Sequence, residues 1–212
     1  MSSIVEMLSG IMRYFPNTML ITLFVVGITT GKLAWVLIAI GGVLVAMLTL
    51  TFQYLTTKAF GIGPVPGMAV IDSCSLIPII TTQEYSTTPS IWTALTAFFI
   101  GFIFMNANHI YSAKTSRGKK EIIPVQERKG IGLISMLSVS LLFLFLVVAR
   151  YWKSCETIVG LITGLVIGIG GAVGWWYILS ACGADVYPDI HGVMIGLRPA
   201  NLRTNPVACI TL

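Results

Sequence analysis

Few residues of this chain could carry out catalytic chemistry. The 212-residue sequence has eight acidic residues and two histidines, His109 and His191. The acidic residues are scattered between the hydrophobic segments, so no two of them are spaced to act as a general acid and a general base. His191 lies close to Asp185 and Asp189, but a third metal ligand at a suitable spacing is missing from the sequence. The sequence therefore predicts no catalytic residue and no metal site.

Residues 27–32, GITTGK, are similar to a nucleotide-binding motif but do not match it. A phosphate-binding loop has four residues between its glycines and a serine or threonine after its lysine. Three residues separate Gly27 from Gly31, and Leu33 follows Lys32. The patterns G-x-S-x-G, H-E-x-x-H and C-x-x-C do not occur in the sequence. We expect neither an enzyme nor a bound cofactor.

The composition is that of a membrane protein. Hydrophobic residues make up 56% of the chain, charged residues only 10%, and the mean hydropathy is +0.89. Soluble domains usually carry about 25% charged residues. The formal charge is +5, so parts outside a bilayer favour anionic partners such as lipid headgroups and acidic protein surfaces. No specific nucleic acid partner is expected.

Five hydrophobic segments predict an all-α integral membrane protein. A helix needs about 20 apolar residues to cross a bilayer. The predicted spans cover about residues 18–31, 33–55, 91–111, 131–150 and 157–181. The first is short, and we expect a tight hairpin at Gly31 to join it to the second. One long kinked helix in place of these two stays open as an alternative.

The ends of the chain and its largest loop are predicted to lie outside the helical bundle of residues 18–181. Residues 1–17 place Ile4, Leu8, Ile11 and Phe15 at helical spacing, which predicts a short interfacial helix that ends at Pro16 and Asn17. Residues 56–90 are rich in proline and glycine and form the largest loop, with re-entry of residues 68–80 into the membrane as a minor alternative. Residues 182–212 form an irregular tail.

Glycines in the last hydrophobic segment predict a surface for packing against other membrane helices. Gly160, Gly164 and Gly168 recur every four residues, and Gly171 and Gly174 follow them. Small residues at this spacing let helix backbones approach closely in lipid. We therefore expect the other helices to be organised around residues 157–181.

Basic residues predict the orientation of the chain and its contact surface. With five crossings, nine Lys and Arg residues lie on one side and four on the other. Because excess positive charge marks the cytoplasmic side, the N-terminus is predicted outside and the tail inside. Contact with headgroups or with an acidic protein is expected from the basic residues of the loop and tail, namely Lys114, Arg117, Lys119, Lys120, Arg128, Lys129, Arg198 and Arg203.

The four cysteines allow one disulfide on each side of the membrane. Cys74 and Cys155 fall on the predicted outer side, and Cys182 and Cys209 on the inner side. A bridge between Cys74 and Cys155 would tie the large loop to the last hairpin. Free thiols are the alternative.

The tail carries a resemblance to a known class of proteins. Cys182 and Gly183 follow the last span, residues 189–192 read DIHG, and the end contains prolines. This pattern resembles the endings of small multi-spanning membrane proteins of large nucleocytoplasmic DNA viruses, although His191 stands where an aromatic residue is expected. The resemblance implies a component of the internal virion membrane that binds capsid or minor capsid proteins. It supplies no catalytic residues.

These observations favour a structural membrane protein. We expect it to anchor a viral membrane to an overlying protein layer through its basic loop and tail. A small channel or carrier subunit is the alternative, although its spans lack the buried charges and inverted repeats that such proteins use. A lipid-handling factor acting through the loop around Asp72 is a third possibility.

Overall fold

The architecture is helical throughout the part that a computed structural model describes, which comprises residues 2–31, 33–60, 88–112, 125–152 and 155–182. These residues form five helices and no strand. The prediction of an all-α fold is confirmed. In chain order the helices are α1 (Ser2–Thr30), α2 (Leu33–Phe60), α3 (Ile91–Ser112), α4 (Val125–Trp152) and α5 (Ile158–Ala181).

Helix α1 is continuous through Pro16, so the predicted short helix ending at Pro16 and Asn17 is wrong. A proline inside a helix removes one backbone hydrogen bond and crowds the preceding turn. Packing offsets this cost here, because Pro16 is fully buried and Phe15 packs against a cluster of Trp92, Ile100 and Leu146. The predicted interfacial segment and first span are therefore one helix.

A tight turn at Gly31 separates α1 from α2. Gly31 has a φ of 65°, a conformation that residues with a Cβ rarely adopt, and its N–H donates to the carbonyl oxygen of Ile28 at 3.3 Å. The two helices pack closely beside the turn, since a Cβ on Gly27 would lie 2.6 Å from Cγ2 of Val36. The hairpin prediction is confirmed, and the single kinked helix is wrong.

Four helices in the described part of the chain are long and apolar enough to cross a membrane, one fewer than predicted. The missing one is α1. The 18 residues of α1 whose side chains the structure describes, 13–30, include Arg13, Pro16 and Asn17 among their first five and are too polar on average to be counted as a span. The candidate spans are Leu33–Ala59, Ile91–Ser112, Lys129–Trp152 and Ile158–Ala181.

Helix α3 lies at the centre, where the sequence predicted the glycine-rich helix. It contacts all four other helices, and residues 92–100 are buried on every side. Three phenylalanines, Phe98, Phe99 and Phe102, form the middle of the core. The glycine-rich α5 is one of the helices packed on α3.

Neighbouring helices along the chain alternate in direction, which gives the bundle two ends. We call them the Arg150 end, where α3 and α5 begin, and the Trp176 end, where both finish. Ser90 meets Gly160 at the first end, and the rings of His109 and Trp176 lie 5.8 Å apart at the second. Helices α3 and α5 are thus parallel, and α2 and α4 run the opposite way.

Candidate functional site

A buried ion pair lies at the Arg150 end of the bundle. Arg150 is two residues from the end of α4, and Glu156 is in the short connection to α5. The Nη2 atom of Arg150 donates to Oε1 of Glu156 at 2.9 Å, and the two side chains are 6% and 4% exposed. Among the residues whose side chains the structure describes, these are the two charged residues that are buried.

The carboxylate of Glu156 also binds α3. Its second oxygen, Oε2, accepts a hydrogen bond from the hydroxyl of Thr93 at 2.6 Å. The Thr93 hydroxyl in turn accepts a bond from Ser90 Oγ at 3.1 Å, and the guanidinium carbon of Arg150 lies 4.7 Å from the centre of the Trp92 ring. We call Ser90, Trp92, Thr93, Arg150 and Glu156 the polar cluster.

Local sequence places the members of the polar cluster. Thr157 caps α5, because it is extended (φ −81°, ψ 154°) and its Oγ1 accepts from the N–H of Gly160 at 3.0 Å. Ser90 does the same for α3, accepting from the N–H of Thr93 at 3.0 Å. The connection between α4 and α5 is so short that Glu156 must lie beside the last turns of α4.

Two side chains of α2 also form hydrogen bonds at the Arg150 end. Nε2 of Gln53, which is buried, donates to the carbonyl oxygen of Pro89 at 2.5 Å. The hydroxyl of Thr56 donates to the carbonyl oxygen of Thr88 at 3.1 Å. The residues before α3 are therefore held between α2 on one side and the start of α5 on the other.

The polar cluster is arranged to hold helices together. An acid and a base that are buried side by side cancel each other's charge, and hydrogen bonds to both carboxylate oxygens reduce the cost of removing Glu156 from water. Each bond joins a different element: Arg150 belongs to α4, Thr93 to α3, and Glu156 to the residues before α5. The cluster thus connects three helices at one point.

This ion pair is not among the sites predicted from the sequence. In the sequence, Arg150 ends the hydrophobic segment 131–150, and Glu156 is one of eight scattered acidic residues. A signal was present, since the two opposite charges stand six residues apart on either side of a very short connection between hydrophobic segments. Because the connection is so short, the two charged side chains are expected to lie close together.

The structure places most of the predicted packing glycines at helix contacts. Gly160, Gly164 and Gly168 are buried. A Cβ on Gly164 would lie 2.6 Å from the carbonyl oxygen of Ser90, and a Cβ on Gly168 would lie 2.7 Å from Cβ of Ala97. Both contacts are with α3 or its capping residue.

The other two predicted glycines differ from each other. Gly171 faces α2, where a Cβ would lie 2.5 Å from Cγ2 of Val45. Gly174 is exposed, and a Cβ there would meet no atom within 4 Å, so the described bundle makes no use of it for packing. The predicted packing role of Gly174 therefore has no counterpart among the described helix contacts.

Most of the predicted basic contact residues lie outside the described residues. This holds for Lys114, Arg117, Lys119, Lys120, Arg198 and Arg203. Arg128 is in the first turns of α4, and Lys129 beside it is exposed at the Trp176 end. Contact of these residues with headgroups or protein stays a prediction.

The cysteines differ between the two ends. Cys155, next to Glu156 at the Arg150 end, is disulfide-bonded. Cys182, directly after α5 at the Trp176 end, is a free and exposed thiol. The predicted partner Cys74 lies outside the described residues, so the Cys74–Cys155 pairing stays a prediction.

In the part of the chain that the structure describes, no group of three metal-binding side chains occurs. His109 is exposed in the last turn of α3, with its ring near that of Trp176. His191 lies outside the described residues.

No family model, curated protein or solved structure matches this chain.

Proposed function

We propose that the chain is a structural protein of a membrane, which it anchors to an overlying protein layer. Helices α2 to α5 would cross the bilayer, and α1 would pack along α2. The resemblance of the tail implies an internal virus membrane and the host membranes from which it derives. The layer would then consist of capsid or minor capsid proteins.

The apolar outer surface of the bundle supports the membrane part of this proposal. Helix α4 exposes leucine, isoleucine and phenylalanine along most of its length, and α2 and α5 do the same on their outer faces. A soluble protein rarely exposes apolar patches larger than a few hundred Å². Among the exposed side chains of α4 are Leu133, Ile134, Leu137, Leu141, Leu144 and Phe145.

The main support for a structural role is the buried ion pair between Arg150 and Glu156. Carriers and pumps hold ionisable side chains where a substrate, ion or proton can reach them. Here Arg150 and Glu156 bind each other and Thr93, at one end of the bundle. The buried polar groups of the cluster therefore fasten helices, as an anchor requires.

The distribution of charge supports attachment at the Trp176 end. The chain reverses direction with each helix, so the loop after α3 and the tail after α5 extend from the same end as Lys129. All eight predicted contact residues belong in sequence to that loop, to the first turns of α4 or to that tail. An acidic protein surface close to the bilayer would complement them.

Purified virus particles provide the first test. We expect quantitative peptide mass spectrometry to find the chain at a fixed ratio to the major shell protein. Its absence from particles, with the chain retained in host membranes, would contradict the virion proposal.

Charge reversal tests the attachment surface. The variant Lys119→Glu/Lys120→Glu should release the chain from the shell proteins that co-purify with it, because it replaces attraction by repulsion. Lys58→Glu, at the opposite end, is the matched control and should leave co-purification unchanged. Equal retention of both variants would argue against docking through the basic loop.

A flux assay separates the anchor from the channel or carrier. The purified chain is placed in liposomes, and ion and solute entry is followed by light scattering. We expect the rates of protein-free liposomes. A protein-dependent, saturable or ion-selective rate would replace the anchor proposal by the transport alternative.

A further inference from the structure

The last turns of α2 carry a leucine, a tyrosine and a lysine in an order that sterol-contacting segments share. Leu50, Tyr54 and Lys58 are separated by three residues each. A leucine or valine followed within a few residues by a tyrosine, and then by a lysine or arginine, is a pattern proposed for contact with cholesterol. Because the pattern is short, the placement of the three side chains decides whether they can bind one ligand together.

All three side chains lie on one exposed face of α2. Residues four apart in a helix share a face, so Leu50, Tyr54 and Lys58 form a strip about 12 Å long. Leu50 is 41% exposed, Tyr54 is 52% exposed, and Lys58 is exposed as well. Met47 continues the strip toward the middle of the bundle. The strip is therefore apolar in its inner part and ends in a phenol and an ammonium group at the Arg150 end.

The polar groups of this strip are accessible to a ligand. The neighbouring hydroxyl of Thr51 is turned back to its own helix, since it donates to the carbonyl oxygen of Met47 at 2.9 Å. By contrast, Tyr54 and Lys58 form no hydrogen bond or ion pair with any other described residue. The phenol oxygen and Nζ can therefore bind the polar end of a lipid.

A neutral lipid fits this face better than an anionic one. The negative surface potential that anionic phospholipids create belongs to the cytoplasmic leaflet. The basic loop extends from the Trp176 end, which is therefore the predicted cytoplasmic side, and Lys58 lies at the opposite end. A sterol carries a single hydroxyl, which accepts a hydrogen bond from an ammonium group and donates one to a phenol oxygen.

We propose that Leu50, Tyr54 and Lys58 form a binding site for a sterol in the leaflet at the Arg150 end. The sterol hydroxyl accepts from Nζ of Lys58 and donates to the phenol oxygen of Tyr54, and the rings pack on Leu50 and Met47. This site rests on the proposed membrane location of the bundle and adds a lipid partner to it. Binding would concentrate the chain in membranes that contain sterol.

The outer face of α5 provides a comparison within the same chain. Tyr177 is 60% exposed there, but residues 178–182, ILSAC, contain no lysine or arginine, so the pattern is incomplete. On α4 the same order occurs in Val148, Tyr151 and Lys153, of which Lys153 lies outside the described residues. Ordinary lipid contact should be alike on α2 and α5, whereas a sterol site should distinguish them.

Photolabelling in nanodiscs tests the site. The full chain is placed in phosphatidylcholine nanodiscs with increasing amounts of a photoreactive cholesterol analogue, and labelled peptides are quantified by mass spectrometry. We expect labelling of residues 47–58 to saturate and to be displaced by unlabelled cholesterol. The epimer of cholesterol at its hydroxyl-bearing carbon has the same rings and should displace the analogue less well. Labelling near Tyr177 should rise linearly.

Variants at exposed positions identify the polar contacts. Lys58→Ala and Tyr54→Ala should each raise the half-saturating amount of the analogue about ten-fold. Tyr177→Ala is the matched control and should leave it unchanged. Linear labelling of α2, equal to that of α5, would overturn the sterol site and leave the membrane proposal standing. Displacement by phosphatidylserine but not by cholesterol would also overturn it, in favour of an anionic lipid. A chain that does not enter nanodiscs would contradict the membrane location itself.

Discussion

The indole Nε1 of Trp175 donates a hydrogen bond to the backbone carbonyl oxygen of Leu37 at 2.9 Å, joining α5 to α2. The ring reaches the backbone because Gly41, one turn further along α2, has no side chain. A Cβ at Gly41 would lie 2.6 Å from both Cδ1 and Nε1 of Trp175. One glycine thus makes room for the indole and for its bond.

Replacing Trp175 by phenylalanine tests this bond. Trp175→Phe keeps an aromatic ring but removes the donor, and we expect it to lower the free energy of unfolding by about 1 kcal/mol. Trp152→Phe, at a position that is 83% exposed, is the matched control and should be neutral. The measurement is thermal unfolding in detergent. Equal unfolding temperatures for the two variants would show that the bond contributes nothing to stability.

Glycine-to-alanine substitutions in α5 distinguish the face packed on α3 from the outer face. Gly168→Ala places a methyl group against Ala94 and Ala97, and should destabilise the bundle by about 1–3 kcal/mol. Gly170→Ala places it in open space, where the higher helix propensity of alanine should leave stability unchanged or raise it. The measurement is again thermal unfolding. A loss of stability from Gly170→Ala as large as that from Gly168→Ala would contradict the assigned packing face.

The helices could be predicted from sequence because a hydrophobic segment of sufficient length allows few alternatives. The turn at Gly31 and the starts of α2, α3 and α5 lie within one residue of their expected positions. Pro16 was misjudged because its helix is stabilised by contacts distant in sequence, with Trp92 and Leu146. The helix propensity of the residues around Pro16 gives no information about such contacts.

The polar cluster was harder to predict because it depends on which helices are neighbours. Periodicity identifies the small-residue face of α5, but it does not say that Thr93 of α3 lies where Glu156 needs a donor. The central place of α3 was missed for the same reason. Its apolar and small residues resemble those of any hydrophobic span, and only the packing of four helices around it sets it apart.

A double-mutant cycle tests the coupling between Arg150 and Glu156. Removing one partner leaves the other charge buried alone, so Glu156→Ala and Arg150→Met should each cost about 3–5 kcal/mol. The double variant should cost less than the sum of the two, because neither charge is then left unpaired. Unfolding free energies are measured in the same detergent for all four proteins. Additive effects would indicate that the two side chains do not interact.

Lys58→Ala is the control for that cycle. Lys58 lies near the Arg150 end, in the last turn of α2, but it is exposed. Loss of its charge should therefore change the unfolding free energy by less than about 0.5 kcal/mol. A large effect would mean that any charge change at this end perturbs the bundle.

Labelling of introduced cysteines tests the alternating direction of the helices. Lys58 is near the end of α2 and Lys129 near the start of α4, so the fold puts them at opposite ends of the bundle. In a background in which Cys74, Cys155, Cys182 and Cys209 are all replaced by serine, we expect a membrane-impermeant maleimide to label Lys58→Cys and Lys129→Cys from opposite sides. Because the basic loop precedes α4, the Lys129 side should be the cytoplasmic one. Labelling is scored in intact and in permeabilised cells. If both positions react from the same side, α3 does not cross the membrane, and the attachment surface and the polar cluster would no longer lie on opposite sides of it.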